Sequence, residues 1–482
     1  MIFLPINPVH IILALPFLSA LGLAAIGPHR LATRLNALAS GLTLVAASSL
    51  LSGFPETTAL FLVDDFNAYL ALLTAFVGFT TSLFSAGYIE HEVEIGRLKP
   101  PFLRFYHSMY QAFMFTMLLA LFANNLGVLW VAVEGATLTT VLMVSLYRTP
   151  AALEAAWKYF ILCGVGIALA LFGTILIYLA AQPVMGGGTT AMTWSDMMGQ
   201  MSRVSPELLN LAFVFILIGY GTKVGLVPLH AWLPDAHAEG PTPISAVLSG
   251  LLLNVALYAV LRFKMLMTAN GHTMAPGPLM ILLGLLSLLV AAFTLYRRRD
   301  IKRLFAYSSI EHMGIITFAF GMGGPVANFA GLLHMSMHSL TKSAIFVAVG
   351  LATQVKGTQQ ISEIRGLTAS HPAIGWGLVV GVLAIAGAPP FGIFLSEFLL
   401  VTSTFASDPL LALPLIAGIV IAFGALILRL QSLAFGTPTG SVEPVATSTF
   451  PLVLHMVIVL IAGVWLPEPL VNWFQAIAKL LG

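Results

Sequence analysis

Apolar runs long enough to cross a bilayer recur from one end of the chain to the other, joined by short polar stretches. A hydrocarbon core of about 30 Å takes roughly 20 apolar residues in a helix. On that criterion the pattern predicts fourteen spans: 9–26, 31–53, 66–88, 105–123, 126–147, 156–181, 209–227 (continuing broken to about 235), 243–267, 278–296, 304–322, 326–354, 374–404, 409–430 and 448–465. Lipid offers the backbone no hydrogen-bond partner, so the expected fold class is all-α, a polytopic membrane protein.

Two of these runs are interrupted. In the seventh, Gly225 and Pro228 break the apolar stretch; in the twelfth, GAPPFG at 387–392 does, and two adjacent prolines cannot both sit in an unbroken helix. Breaks five spans apart, each beside an ionisable residue, predict two inverted five-helix repeats, spans 4–8 and 9–13, with broken helices 7 and 12. The repeat rests on breakpoints and charges, since no residue-level identity between the halves stands out. The chain then divides into N-terminal helices (1–104), a first repeat (105–268), a second (278–430), and a last helix with a short amphipathic tail (448–482), all one transmembrane domain.

Composition agrees: 59% of the 482 residues are hydrophobic and 8% charged, against about 25% charged in soluble proteins. Cys163 is the only cysteine, which excludes disulfides and cysteine-ligated clusters within the chain. The first apolar run has neither a basic region before it nor a cleavage site after it and reads as a retained helix. With Lys158, Lys223 and Lys342 set aside as intrahelical, fourteen Lys and Arg fall on odd-numbered joints and four on the other side, so the positive-inside rule places both termini outside the cytoplasm. Asp64 and Asp65 read as a solvated interface. The mixed-charge segment 90–104 reads as a cytoplasmic surface or subunit contact.

The candidate chemistry lies in the few ionisable residues at membrane depth, each of which is costly there without a partner or a use. Glu134 has apolar residues on both sides in span five. Lys223 precedes the first break, and His230, Asp235 and His237 follow it. Lys158 opens span six, where snorkelling is its plain explanation. Glu311 and His312 are neighbours in span ten, about 100° apart on a helix, so at most one faces a given path squarely. His334, His338 and Lys342 at i, i+4 and i+8 line one helix face over about 12 Å. That stripe fits a proton relay, satisfied packing histidines, or a metal site; for metal, no Glu or Cys completes a ligand set in sequence. Glu397 follows the second break.

The stretch YGTKVGLVPLHAWLPDAHAEGPTPISAVLSG resembles the signature region of the antiporter-like proton-translocating subunits of respiratory complex I, Mrp-type cation/proton antiporters and energy-converting hydrogenases. AYSSIEHMGI and GAPPFGIFLSEF are most similar to hydrogenase-4 component F. The resemblance, over roughly 64–397, implies proton-transfer roles for Glu134, Lys223, His338, Lys342 and Glu397. Lys158, His230, Asp235, His237, Asn254, Glu311, His312 and His334 are accessory candidates. Asn254 stands where many complex I members carry a Lys or His, so the link from Lys223 onward must use water or another side chain. A long lateral helix, found in complex I's most distal subunit, has no room after the last span.

The expected function is that of a proton-translocating membrane subunit in a redox-driven complex of a prokaryotic inner membrane, working beside other membrane subunits and a peripheral redox arm. Entry is expected on the cytoplasmic side in the Lys223 half and exit through the Glu397 half. The chain has no cluster or haem ligand set and no dinucleotide fingerprint, so no cofactor is expected in it; Fe–S clusters, Ni–Fe or flavin belong to partners. No nucleic-acid partner is expected. The alternative is an Mrp-type Na⁺(K⁺)/H⁺ antiporter subunit.

Overall fold

The computed structural model describes residues 7–99, 101–438 and 448–482. Among them, β structure is limited to isolated bridges and everything else regular is helical. Ten helices are long and apolar enough to cross a membrane, and the bent pair Phe450–Val464 with Glu468–Leu480 passes the same test jointly. The protein is a multi-pass membrane protein. Polar residues at the joints start and stop the helices. Asn125 accepts hydrogen bonds from the Gly127 and Val128 amides, opening Leu126–Val144, and Asp300 accepts from Arg303 to open Ile301–Met322. Gly357, left-handed at φ 66°, closes Gly324–Lys356.

The described residues form two compact units, one within 1–82, 92–223 and 254–276, the other within 83–91, 224–253 and 277–482. In the first, Pro101–Phe122 packs on Pro8–Ala25, His29–Ser48 and Leu126–Val144, and the last of these packs on Pro150–Met185. Pro206–Val224 approaches Pro150–Met185 so closely that a Cβ on Gly219 would stand 2.6 Å from both the Ala170 amide nitrogen and the Gly166 carbonyl oxygen. Small residues permit this approach between membrane helices.

Asp64 is not solvated as expected. The Arg262 guanidinium donates to both its carboxylate oxygens at 2.7 and 2.8 Å. Arg262, buried, is lined by the rings of Trp194, Tyr258 and Phe66 at 4.6–5.7 Å and donates to the Tyr258 hydroxyl. Burial by itself would raise the Asp64 carboxyl, but the Arg262 charge and hydrogen bond, with the Asn67 and Phe66 amides, hold it below the ordinary carboxylate range. A bidentate arginine can bring a carboxylate out of water where a sequence shows only two acidic residues before a helix.

In the second unit Gly324–Lys356 is the hub. Ile301–Met322, Thr242–Val247, Pro372–Ile385, Gly392–Ser407, Phe450–Val464 and Glu468–Leu480 all pack on it. Its membrane-length window is 100% buried, whereas that of Pro409–Ala434 is 33% buried, with Leu410, Leu413, Val420 and Leu428 turned outward. Outer helices of this kind face lipid; a helix enclosed by protein has no such face and can carry charge. Ile301–Met322 is also enclosed nearly all round. Both Glu311 and His312 are therefore buried. Glu468–Leu480 turns by 80° from the preceding helix and buries Phe474, Ile477 and Ala478. Asn328 donates to the Ala478 and Gly482 carbonyls at 3.1 and 2.8 Å.

Candidate functional site

Both predicted breaks are present and share a local sequence. Pro206–Val224 stops before Gly225, and Pro372–Ile385 stops just before Gly387; in each case the glycine has positive φ (82° and 73°) and a cis-proline follows three residues later, Pro228 or Pro390. Helix resumes at Trp232 and at Gly392. The two breaks thus share a Gly-x-x-Pro pattern. The second glycine is also required by space: a Cβ on Gly387 would lie 2.1 Å from Glu397 Oε2, so the break seats that carboxylate directly against backbone.

In the first unit, Lys223 is fully buried one turn after Gly219. Its ammonium donates to the Thr137 hydroxyl and lies 5.0 Å over the Tyr159 ring. Thr137 is three residues after Glu134, on the same helix face. Glu134 is half-buried, and its Oε2 is buried without a hydrogen-bond partner. The lysine thus reaches the turn carrying Glu134 through Thr137. The Tyr159 and Thr140 hydroxyls are 2.7 Å apart, extending the polar patch along the same helix. Lys158 is half-exposed beside Tyr159, and Asn254 is buried at 2% exposure after a π-helical turn at Leu248–Leu252.

The second unit holds a larger cluster. His312 Nδ1 and His334 Nε2 are 2.9 Å apart, and His334 Nδ1 is 3.0 Å from Ser396 Oγ. The His338 ring lies 5.6 Å from His312, and both its nitrogens are buried without a hydrogen-bond partner. Lys342 donates to the Phe305 carbonyl at 3.0 Å. Glu311 Oε2 is 3.6 Å from His312 Nε2. Donor atoms of His312, His334 and Glu397, from three helices, come within 4.8 Å of one another. This assembly supplies the carboxylate that sequence spacing did not. Buried imidazoles, carboxylates and an amine in mutual reach can accept, share and pass protons.

The residues after the first break are placed differently. His237 is fully buried and stacks on Phe346, one turn past Lys342, at 4.9 Å with an interplanar angle of 6°. Asp235 forms an ion pair with Arg303 at 3.2 Å, and Glu239 joins it at 3.5 Å. His230 is half-buried, its ring 6.1 Å from Tyr307. Lys302 donates to the Gly240 carbonyl at 2.8 Å, fastening the end of Trp232–Glu239. Sequence reasoning missed Thr137, Tyr159 and Ser396. Thr137 was within sight, one helical turn from Glu134; Ser396 had only its position next to Glu397.

Residues 123–423 match the family described as NADH:quinone oxidoreductase/Mrp antiporter, TM. A hydrogenase-4 component F homolog of Methylacidiphilum infernorum is 59% identical over 470 residues, 98% of this chain and 99% of that protein. Hydrogenase-4 component B of Escherichia coli is 26% identical over 81% of this chain and 60% of that protein. Among solved structures, a chain of the archaeal membrane-bound sulfane sulfur reductase superposes with a TM-score of 0.86 at 22% identity, covering 98% of this chain and 97% of that one. A chain of respiratory complex I from Thermus thermophilus superposes with 0.81 at 23% identity, covering 98% and 100%. These two likenesses are of fold.

Proposed function

The chain belongs to the NADH:quinone oxidoreductase/Mrp antiporter transmembrane family, and from that premise we propose that it translocates protons as one membrane subunit of a redox-driven, hydrogenase-4-like complex. One observation carries the reading: each unit holds titratable side chains withdrawn from water beside a helix break, buried Lys223 with half-buried Glu134 in one and the buried His312, His334, His338, Lys342 and Glu397 group in the other. Several such groups at membrane depth are costly unless used.

In this mechanism Lys223 holds a proton while Glu134 is near. Movement of Glu134 charge, driven from a neighbouring subunit, leaves the ammonium desolvated among neutral groups, the Thr137 hydroxyl, the Cys163 thiol and the Tyr159 ring, and it releases the proton. The histidine group receives it and passes it along the His312–His334–Ser396 line to Glu397, which discharges it on the far side. The reading includes fourteen spans in the membrane, two inverted five-helix repeats, both termini outside the cytoplasm and an inner-membrane location. Redox centres reside in a peripheral arm on partner subunits.

Replacing Lys223 by Met tests it. Assembly of the complex is expected to persist, judged by co-purification of its subunits, while redox-driven proton uptake into vesicles falls at least tenfold. Undiminished uptake by an assembled Lys223→Met complex would sink the relay. Vesicles given Na⁺ or K⁺ with the redox substrate withheld are expected to show no proton movement; exchange under those conditions would favour the antiporter reading.

A further inference from the structure

We propose that His312, His334 and Glu397 form a binding site for a zinc-class divalent metal ion, placed where the two histidines otherwise share a proton. The donors come from Ile301–Met322, Gly324–Lys356 and Gly392–Ser407, all are buried, and their donor atoms lie within 4.8 Å of one another. Two imidazoles and a carboxylate are a donor set that zinc takes.

The hydrogen-bond network orients the donors. Ser396 Oγ donates its proton to the Ile393 carbonyl at 2.8 Å, so at 3.0 Å it accepts from His334 Nδ1–H. That fixes the neutral His334 tautomer and leaves the Nε2 lone pair facing His312 Nδ1 at 2.9 Å. On the other edge of His312, Nε2 and the Glu311 Oε2 that faces it at 3.6 Å are both buried without a hydrogen-bond partner. With a proton on Nδ1 and Glu311 ionised, that mismatch persists. A metal on Nδ1 moves the His312 proton to Nε2, where it meets Glu311, and both orphan atoms gain a partner. Each histidine would then carry the outer hydrogen bond that metal-bound imidazoles ordinarily make, to Ser396 for one and to a carboxylate for the other.

Distance and charge also fit. Bonds of about 2.0–2.1 Å to two nitrogens 2.9 Å apart subtend about 90°, and a tetrahedral angle asks the rings to separate by about 0.4 Å. Glu397 in the inner set and Glu311 outside it balance a double positive charge in a site enclosed by protein. Gly387 leaves the Glu397 carboxylate room that a Cβ would fill. Because metal and shared proton occupy the same position, zinc stalls proton transfer; this consequence rests on the relay reading, while the site itself does not.

The test uses the complex purified from its own membrane and dialysed against Zn²⁺ alone, with bound zinc counted by elemental analysis and its neighbours read by X-ray absorption. One zinc per chain is expected with imidazole and carboxylate neighbours, absent in His334→Gln and retained in a variant of the exposed His272, His272→Gln. Ser396→Ala, which keeps all three ligands, is expected to weaken binding about 10–100-fold. Equal zinc in wild type and His334→Gln, or no imidazole around the metal, overturns the site. Should His334→Gln fail to assemble, unchanged affinity in Ser396→Ala overturns it equally. Proton uptake is followed separately in metal-free vesicles, where zinc is expected to slow it and a chelator to restore it. Zinc bound at the site without slowing overturns the relay reading and leaves the site standing.

Discussion

At the scale of single residues, the consequences follow from how buried charges are matched. Arg262 is 3% exposed and wholly committed to Asp64 and Tyr258. Asp64→Ala leaves that guanidinium with no carboxylate, and removing one partner of a buried pair costs about 3 kcal/mol or more; thermal unfolding in detergent measures it. The pH dependence has a definite sign. The Asp64 carboxyl is held below its ordinary value of 3.8 in the folded protein, so the unfolded state binds its proton first as pH falls. The stability it contributes is therefore full above about pH 5 and lost as pH drops below about 4. A melting series from pH 7 down to about pH 2 is expected to fall less steeply at its acid end in Asp64→Ala than in the wild type. Lys223 and Lys342 contrast with Arg262: their hydrogen bonds go to neutral oxygens, of Thr137 and Phe305, and an amine held that way can give up its proton where a paired guanidinium cannot.

At the scale of elements, the two breaks have the same local design with different surroundings. Gly225 and Gly387 both sit at positive φ, where any residue with a Cβ is strained by about 1–2 kcal/mol. A Cβ on Gly225 would have Leu233 Cδ2 at 3.2 Å, a flexible neighbour, whereas on Gly387 it would collide with the Glu397 carboxylate. Gly387→Ala is accordingly expected to lower both stability and proton uptake, and Gly225→Ala to cost about the backbone strain alone. Equal losses of uptake in the two variants would mean that the second break does not seat Glu397 for transfer. Close helix pairs serve the same end. Gly219 and Gly166 let two helices approach one turn before Lys223, and Gly284 against Gly314 does so in the second unit, where a Cβ on either would meet the other's carbonyl oxygen at 2.7 Å. Bulkier residues there would push apart the helices that carry the titratable groups.

At the scale of the molecule, charge is carried mainly by the helices that protein encloses, and the lipid-facing helices are apolar. If Lys223 and Lys342 act in one series, Lys223→Met, Lys342→Met and the double variant are expected to lose the same proton uptake, because a broken series is not broken further. Two independent paths would instead leave each single variant about half its uptake and the double none. The sequence by itself determined the class of fold, both helix breaks and the rarity of intramembrane charge, because a bilayer dictates segment length and apolarity directly and Gly and Pro act on their own backbone. It also carried the family, through one dense motif. It did not show that half-buried Asp64 pairs with buried Arg262 across 198 positions, that Glu311 and His312 are both interior, or that Ser396 and Glu397 meet histidines from two other helices. Those facts depend on which helix faces touch, and touching is decided by long-range contact between glycine-rich surfaces and by enclosure of the hub helix, neither of which has a local period to be read along the chain.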